Sequence, residues 1–223
     1  MIKQILCYGD SNTWGFVPKI GDRYPDNIRW TGVAGKILGE DYHIWENGIN
    51  GRTTIYDDPV FPCRNGQTSL DYALLASKPL DLIVLSLGTN DLKFTDVKGS
   101  RRGVERLIRE MLSANSRLYT DTSVFPHGVK ILLLSPIRIH KQVETIDPDT
   151  RFGGTIPEES DAFPEQFKAV ADLFPEVSFL DASVYAVPSQ EDGIHMDAES
   201  HQRLGVAVAE KIQEIFQGTP RTP

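Results

Sequence analysis

The chain has 223 residues, enough to bury one sizeable hydrophobic core. Its 40% apolar and 24% charged residues are ordinary for a globular protein, while 31 acidic against 23 basic side chains give a formal charge of −8. That balance supplies no overall positive field to draw in nucleic acid or an anionic membrane surface, and it argues against both as partners. The longest apolar run, 82–87, is too short to span a bilayer. Met1-Ile2-Lys3-Gln4 does not open like a secretory leader, and two cysteines, Cys7 and Cys63, make no disulfide framework. A cytoplasmic protein is expected.

In chain order, short apolar runs alternate with helical patterns. Ile5-Leu6-Cys7-Tyr8 is the first strand candidate, followed by a helix over 30–38 and a second strand at Tyr42-His43-Ile44-Trp45. A helix over 69–77 leads to the strand Leu82-Ile83-Val84-Leu85, and one over 101–116 to Ile131-Leu132-Leu133-Leu134. A helix over 165–174 precedes Val177-Ser178-Phe179-Leu180. In the final helix Asp197 is positioned to cap, and Leu204, Val208, Ile212 and Ile215 recur on one face. Continuous rather than alternating hydrophobicity in the strands suits parallel strands covered on both faces. The alternation implies one α/β domain over 1–217, with 218–223 a frayed tail. Two connections, 51–68 and 137–164, are long for a compact sheet and are expected to border a site.

Four signatures follow strands, where an open α/β sheet places its site. Gly9-Asp10-Ser11-Asn12 follows the first strand, and its glycine permits the tight turn that presents a serine at the sheet edge. Read blandly, Asp10 and Ser11 are turn and cap residues. Asn47-Gly48-Ile49-Asn50-Gly51-Arg52-Thr53 follows the second strand and has ordinary loop composition. In Gly88-Thr89-Asn90-Asp91 the uncharged Asn90 amide can donate to an oxyanion without adding a competing charge, or simply shape a turn. In Asp192-Gly193-Ile194-His195 a carboxylate three residues before an imidazole can bend back to Nδ1–H, fixing the tautomer and leaving Nε2 as a base.

Taken together and in this order, the four blocks resemble the SGNH (GDSL-type) hydrolase superfamily, whose marker residues map onto Ser11, Gly51, Asn90 and His195. Gly51 matches better than Gly48, because Arg52 and Thr53 follow it as the pattern requires. Gly9-Asp10-Ser11-x-Thr13-Trp14-Gly15, Arg29-Trp30-Thr31-Gly32 and Gly51-Arg52-Thr53-Thr54 with Asp57-Asp58-Pro59 look like the arylesterase/acyltransferase branch. The resemblance implies a flavodoxin-like three-layer α/β/α sandwich with a five-stranded, mostly parallel sheet. It also implies a serine esterase acting on short-acyl esters, with possible transfer of the acyl group to alcohols, no cofactor and a homo-oligomeric state. Ser11 would be the nucleophile, His195 the base and Asp192 its orienting partner. The backbone N–H groups of Ser11 and Gly51 and the Asn90 side chain would hold the oxyanion, and Asn12, Trp14 and Ile194 would line the substrate pocket. Asn12 departs from the leucine of the commonest motif, which alters the pocket rather than the chemistry.

The other histidines carry no such pattern. His43, His127 and His140 read as strand or loop residues, and His201 as a packed or solvated helix residue. No metal-ligand spacing and no phosphate loop is present; Gly32-Val33-Ala34-Gly35-Lys36 lacks the spacing and the following Ser/Thr. A carbohydrate O-deacetylase with the same triad, an inert binding module and a nucleotide-binding module are the rival readings.

Overall fold

The five apolar runs become five strands of one sheet: β1 (Lys3–Gly9), β2 (Tyr42–Gly48), β3 (Leu82–Ser86), β4 (Ile131–Ser135) and β5 (Val177–Asp181). The order is β2-β1-β3-β4-β5, the flavodoxin-like arrangement, and every pairing is parallel, where the sequence suggested only a mostly parallel sheet. The computed structural model describes residues 1–118 and 121–218, so the expected frayed tail lies, beyond Gly218, outside the described residues.

Helices α1 (Ser11–Trp14), α2 (Trp30–Leu38), α3 (Gly66–Ser77), α4 (Val97–Leu112), α5 (Ala114–Arg117), α6 (Val143–Ile146), α7 (Ile156–Glu159), α8 (Phe163–Ala171) and α9 (Ala198–Gln217) make the outer layers. Alternation along the strands divides the core. Leu6, Tyr8, Ile83, Leu85, Ile131 and Leu133 pack against α3, α4 and α8. Ile5, Cys7, Leu82, Val84, Leu132 and Leu134 face α2 and α9. β2 departs from the two-sided burial expected of it: as an edge strand it leaves His43 and Trp45 exposed. None of the helices among the described residues is long and apolar enough to cross a membrane.

Three helices start earlier than the apolar periodicity suggests, because their ends are set by polar chemistry. Asp96 accepts from Gly99 N (2.7 Å) and starts α4; Asn65 accepts from Gln67 N (2.9 Å) and starts α3. Pro164 lies in the first turn of α8, where a missing N–H costs nothing. The 137–164 connection contains α6 and α7 and buries Ile139, Phe152 and Phe163 in the chain's own core, whereas 51–68 leaves Val60, Phe61 and Pro62 exposed.

Register decides where the site forms. Gly9, the last residue of β1, is level with Gly48 of β2 and Ser86 of β3, so three connections leave the sheet side by side. Arg52 ties them together. Its side chain is buried, with Nη1 donating to Gly9 O (3.0 Å) and Asn47 O (2.6 Å) and Nη2 to Asn47 Oδ1 (2.8 Å). The guanidinium carbon stands 4.1 Å from the Tyr8 ring centroid. Oxygen dipoles and a ring face, rather than a carboxylate, compensate this cation.

The opposite layer has its own fixture. Arg29 offers α2 no side-chain cap, and Trp30 N–H instead donates to Nδ1 of His201, from α9, at 3.3 Å. The helices approach closely because residue 205 is glycine: a Cβ there would stand 2.6 Å from Val33 Cβ. His201 is fully buried, and burial pushes its pKa from 6.5 down to about 4, so Nδ1 remains an acceptor at neutral pH.

Two tests follow. Lysine at position 52 offers a point charge where a planar fork reaches three oxygens, so Arg52→Lys should lower stability by about 2–4 kcal/mol in urea unfolding; an unchanged midpoint would remove Arg52 as the tie between strand ends. For His201 the unfolded chain binds the extra proton between pH 6.5 and about 4. Its contribution is therefore complete above that window and lost as pH falls through it. Asp10 and Asp91, raised by burial to about 6 and about 7, act in the opposite sense, so the difference between proteins is the readout. Between pH 7 and 4.5 the wild type should lose about 1–3 kcal/mol more than His201→Gln, whose amide oxygen can still accept from Trp30 N.

Candidate active site

Ser11 is the first residue of α1 and is 7% exposed. Asp10 caps the helix by accepting from Asn12 N at 3.0 Å, so the bland reading of Asp10 is correct for Asp10 itself. Gly9 is required by crowding: a Cβ would lie 2.8 Å from Ser86 O and nearer still to Thr13. The sharp exit from β1 thereby turns Ser11 toward the segment between β5 and α9.

That segment carries Asp192 and His195. Gly193 takes a left-handed conformation (φ +73°), and Asp192 Oδ1 accepts from the N–H groups of Ile194 and His195, each at 2.9 Å. The second carboxylate oxygen meets His195 Nδ1 at 2.7 Å, and Nε2 lies 2.9 Å from Ser11 Oγ. A carboxylate can only accept, so Nδ1 carries the hydrogen and Nε2 of the neutral ring faces the serine hydroxyl. Burial raises the Asp192 carboxyl, but the ring and the two N–H groups outweigh it and hold it below the ordinary carboxylate range. Met196 N–H donates to Asn12 Oδ1 at 2.9 Å, and the Phe16 ring packs on His195 at 4.3 Å between centroids. The imidazole is thus held from both sides.

The second and third blocks meet opposite. Asn90 sits in a 3-10 turn, Thr89–Lys93, with Nδ2 donating to Arg52 O (3.2 Å) and Oδ1 accepting from Lys93 Nζ (2.7 Å). An ammonium only donates and a carbonyl only accepts, so these partners fix the amide's orientation and leave one Nδ2 hydrogen. Asp91, fully buried, accepts from Thr54 N (2.7 Å) and Thr54 Oγ1 (2.8 Å), locking the two blocks together. Gly51 has φ +78°, and a Cβ there would lie 2.7 Å from Arg64 Nε. Neither the Ser11 nor the Gly51 backbone N–H has a partner among the described residues.

Ser11, Asn12, Gly51, Asn90, Ile194 and His195 border a cleft of about 150 Å³, with Asp192 behind the ring. Trp14 is not in its wall: the side chain lies between Phe16 (6.4 Å) and the Arg23 guanidinium (5.6 Å), and Phe16 occupies the position expected of Trp14. Asn12 borders the cleft, but its oxygen is engaged by Met196. Sequence reasoning missed Lys93, Arg64, Asn50 and Phe152, which also line it. Lys93 had a signal in its place three residues after Asn90; Arg64 and Phe152 arrive from the two long connections expected to border the site, but nothing singled out these residues within them. Burial first, then Arg151 and Arg64, lower Lys93 to about 8. Among the described residues no three His, Cys, Asp or Glu side chains converge in a way that could hold a metal ion.

A partly buried serine–imidazole–carboxylate chain facing unengaged N–H donors can deprotonate the serine and stabilise negative charge on an attacked carbonyl. The fold and sequence agree with known proteins. The M. smegmatis aryl esterase is 32% identical with a TM-score of 0.84, the match covering 96% of this chain and 99% of that one. Est24, a carbohydrate acetylesterase from Sinorhizobium meliloti, is 35% identical with a TM-score of 0.84, over 96% and 100%. Another carbohydrate acetylesterase family member from Sinorhizobium meliloti is 33% identical with a TM-score of 0.86, over 97% and 100%. No curated protein matches. Residues 7–203 match the model of the GDSL-like lipase/acylhydrolase family, and to that family the chain belongs.

Proposed function

We propose that the protein is a serine esterase that hydrolyses short-acyl carboxylic esters through an acyl-serine intermediate. The observation that carries this reading is the unbroken chain Asp192–His195–Ser11, with contacts of 2.7 and 2.9 Å, opening on the same cleft as Gly51 and Asn90. Ser11 Oγ attacks the ester carbonyl carbon and its proton passes to His195 Nε2. The tetrahedral oxyanion is received by the N–H groups of Ser11 and Gly51 and the remaining Asn90 amide hydrogen. Collapse breaks the bond to the alcohol, which leaves with the proton from His195. Water then attacks the acyl-serine, giving one proton to His195; Ser11 recovers it as the carboxylic acid departs. An alcohol entering in place of water gives acyl transfer.

The modest cleft, lined on its apolar side by Phe16, Phe152 and Ile194, supports short acyl groups. Exposed Val60, Phe61 and Pro62 on the first long connection support self-association, which light scattering with size exclusion decides: a clean monomer excludes it. Cys7, buried, and Cys63, exposed, are both free thiols, in keeping with a cytoplasmic location. A carbohydrate O-deacetylase is the second reading, favoured by likeness to the Sinorhizobium meliloti acetylesterases. Rates on acetylated sugars against aryl acetates separate the two.

Ser11→Ala should reduce kcat by several orders of magnitude on every ester; retention of most activity removes Ser11 from the mechanism. Asn90→Ala should lower kcat by roughly 10²–10³ with KM little changed, as for a donor used in the transition state. An effect confined to KM would make Asn90 a substrate-binding group instead.

A further inference from the structure

The cleft carries more positive charge than ester hydrolysis needs. Lys93 and Arg64 both line it, in a chain whose formal charge is −8. Lys93 Nζ has a single polar protein contact, Asn90 Oδ1 at 2.7 Å, and pairs with no carboxylate among the described residues. Its stem lies against Phe152, with Nζ 4.7 Å from the ring centroid. Arg64 crosses over Gly51 in the space a side chain there would fill, its guanidinium 3.8 Å from the Phe61 ring. Arg151, from the other long connection, stands behind this wall, 3.7 Å from Asp58 and 5.1 Å from the Phe94 ring centroid.

One carboxylate serves this wall. Asp58, buried, accepts from Arg64 at 3.3 Å and stands 3.7 Å from Arg151, while its other oxygen takes the N–H groups of Val60 and Phe61. Arg64 and Arg151 therefore share Asp58, and Lys93 has no carboxylate in direct contact among the described residues. The site's other acids are committed elsewhere: Asp192 to His195, Asp10 to Asn12 N beneath the serine, and Asp91 to Thr54 N and Oγ1. Arg52, Arg64, Lys93 and Arg151 stand in and behind this wall, and of the nearby acids Asp58 alone is bonded to one of these cations. Like charges gathered in a half-buried cleft repel and are costly to desolvate, a cost an anionic ligand offsets.

We propose that Lys93 and Arg64 form an anion subsite that selects esters bearing a carboxylate close to the scissile carbonyl. The subsite rests on the esterase reading above and names its substrate class. The ammonium sits beside the amide proposed to hold the oxyanion, so the recognised carboxylate lies a few bonds from the carbonyl, in the acyl part or in the alcohol. Desolvation and the neighbouring Arg151 and Arg64 bring Lys93 to about 8, and a bound carboxylate opposes that shift.

The test compares charged esters with their neutral methyl esters. Phenyl hydrogen succinate against phenyl methyl succinate reports an acyl-side anion; 4-acetoxybenzoate against methyl 4-acetoxybenzoate reports an alcohol-side one. The ratio of kcat/KM within a pair cancels any effect of a variant on the oxyanion donors. At pH 7 and low salt the wild type should favour the charged member of at least one pair by about tenfold, equivalent to roughly 1.4 kcal/mol. The preference should weaken with added salt and as pH rises through about 8, where Lys93 loses its proton. Lys93→Gln, which can still donate to Asn90, should bring the ratio toward unity, Lys93→Glu should invert it, and Arg64→Gln should reduce it. A neutral-ester preference in both pairs, or a ratio indifferent to Lys93→Glu, overturns the subsite. If no ester is hydrolysed, the esterase reading fails by itself. Calorimetry with succinate then decides the subsite: binding lost in Lys93→Glu upholds it, and equal or absent binding overturns it.

Discussion

The arrangement of the candidate site depends on a buried guanidinium. Arg52 touches the carbonyl at the end of β1, the carbonyl and side chain of Asn47 near the end of β2, and through its own carbonyl the amide of Asn90 beyond β3. The Gly9 carbonyl already accepts from Ile49 N–H at 3.1 Å, and Arg52 supplies its second donor where the ladder ends. A planar cation with a fork of donors satisfies several oxygens at once and fixes the distances among the loops that leave the strand ends. Its charge is dispersed over oxygen dipoles and the Tyr8 ring, with no carboxylate bonded to it and Asp10 within electrostatic reach.

Around this tie the structure commits nearly every polar group to a single geometry. Asp192 uses one oxygen to shape the turn that carries His195 and the other to orient the ring. Asn90 has both ends of its amide assigned by partners of opposite character. Asp91 and Thr54 join the loops below. Such densely partnered networks are rigid because rotation breaks buried hydrogen bonds, although Arg52 Nε and Asn50 Oδ1 are buried without a partner. The cationic wall differs, since Lys93 and Arg64 line the cleft with donors to spare. Preorganisation on the serine side and unsatisfied charge on the other divide the cleft into a part suited to chemistry and a part suited to recognition.

The two sides of the sheet contribute differently. The α3, α4 and α8 layer holds the large apolar cluster, while α2 and α9 are brought together through Gly205 and the His201–Trp30 contact. Since α9 begins three residues after His195, its seating against α2 also sets where that imidazole stands. A buried neutral histidine acting as a cross-helix cap therefore positions the site from a distance, and nothing in the spacing of His201 distinguished it from a solvated helix residue.

The sequence by itself determined the strands, the α/β class and the blocks holding Ser11, Gly51, Asn90, Asp192 and His195. Continuous apolar runs have few ways to be buried, and a glycine-gated turn or a carboxylate three residues from an imidazole is a local geometry. Helix starts were less legible, because capping by Asn65 and Asp96 and the placement of Pro164 are polar effects that apolar periodicity does not register. Only the tertiary structure decided what stands in the cleft wall. Trp14 turned to Arg23 while Phe16 took its place, Asn12 was claimed by Met196, and Arg64 and Phe152, far apart in the chain, came from separate connections. Those contacts depend on how separate loops pack over the sheet edge, and packing between distant segments leaves no periodic trace in the chain that forms it.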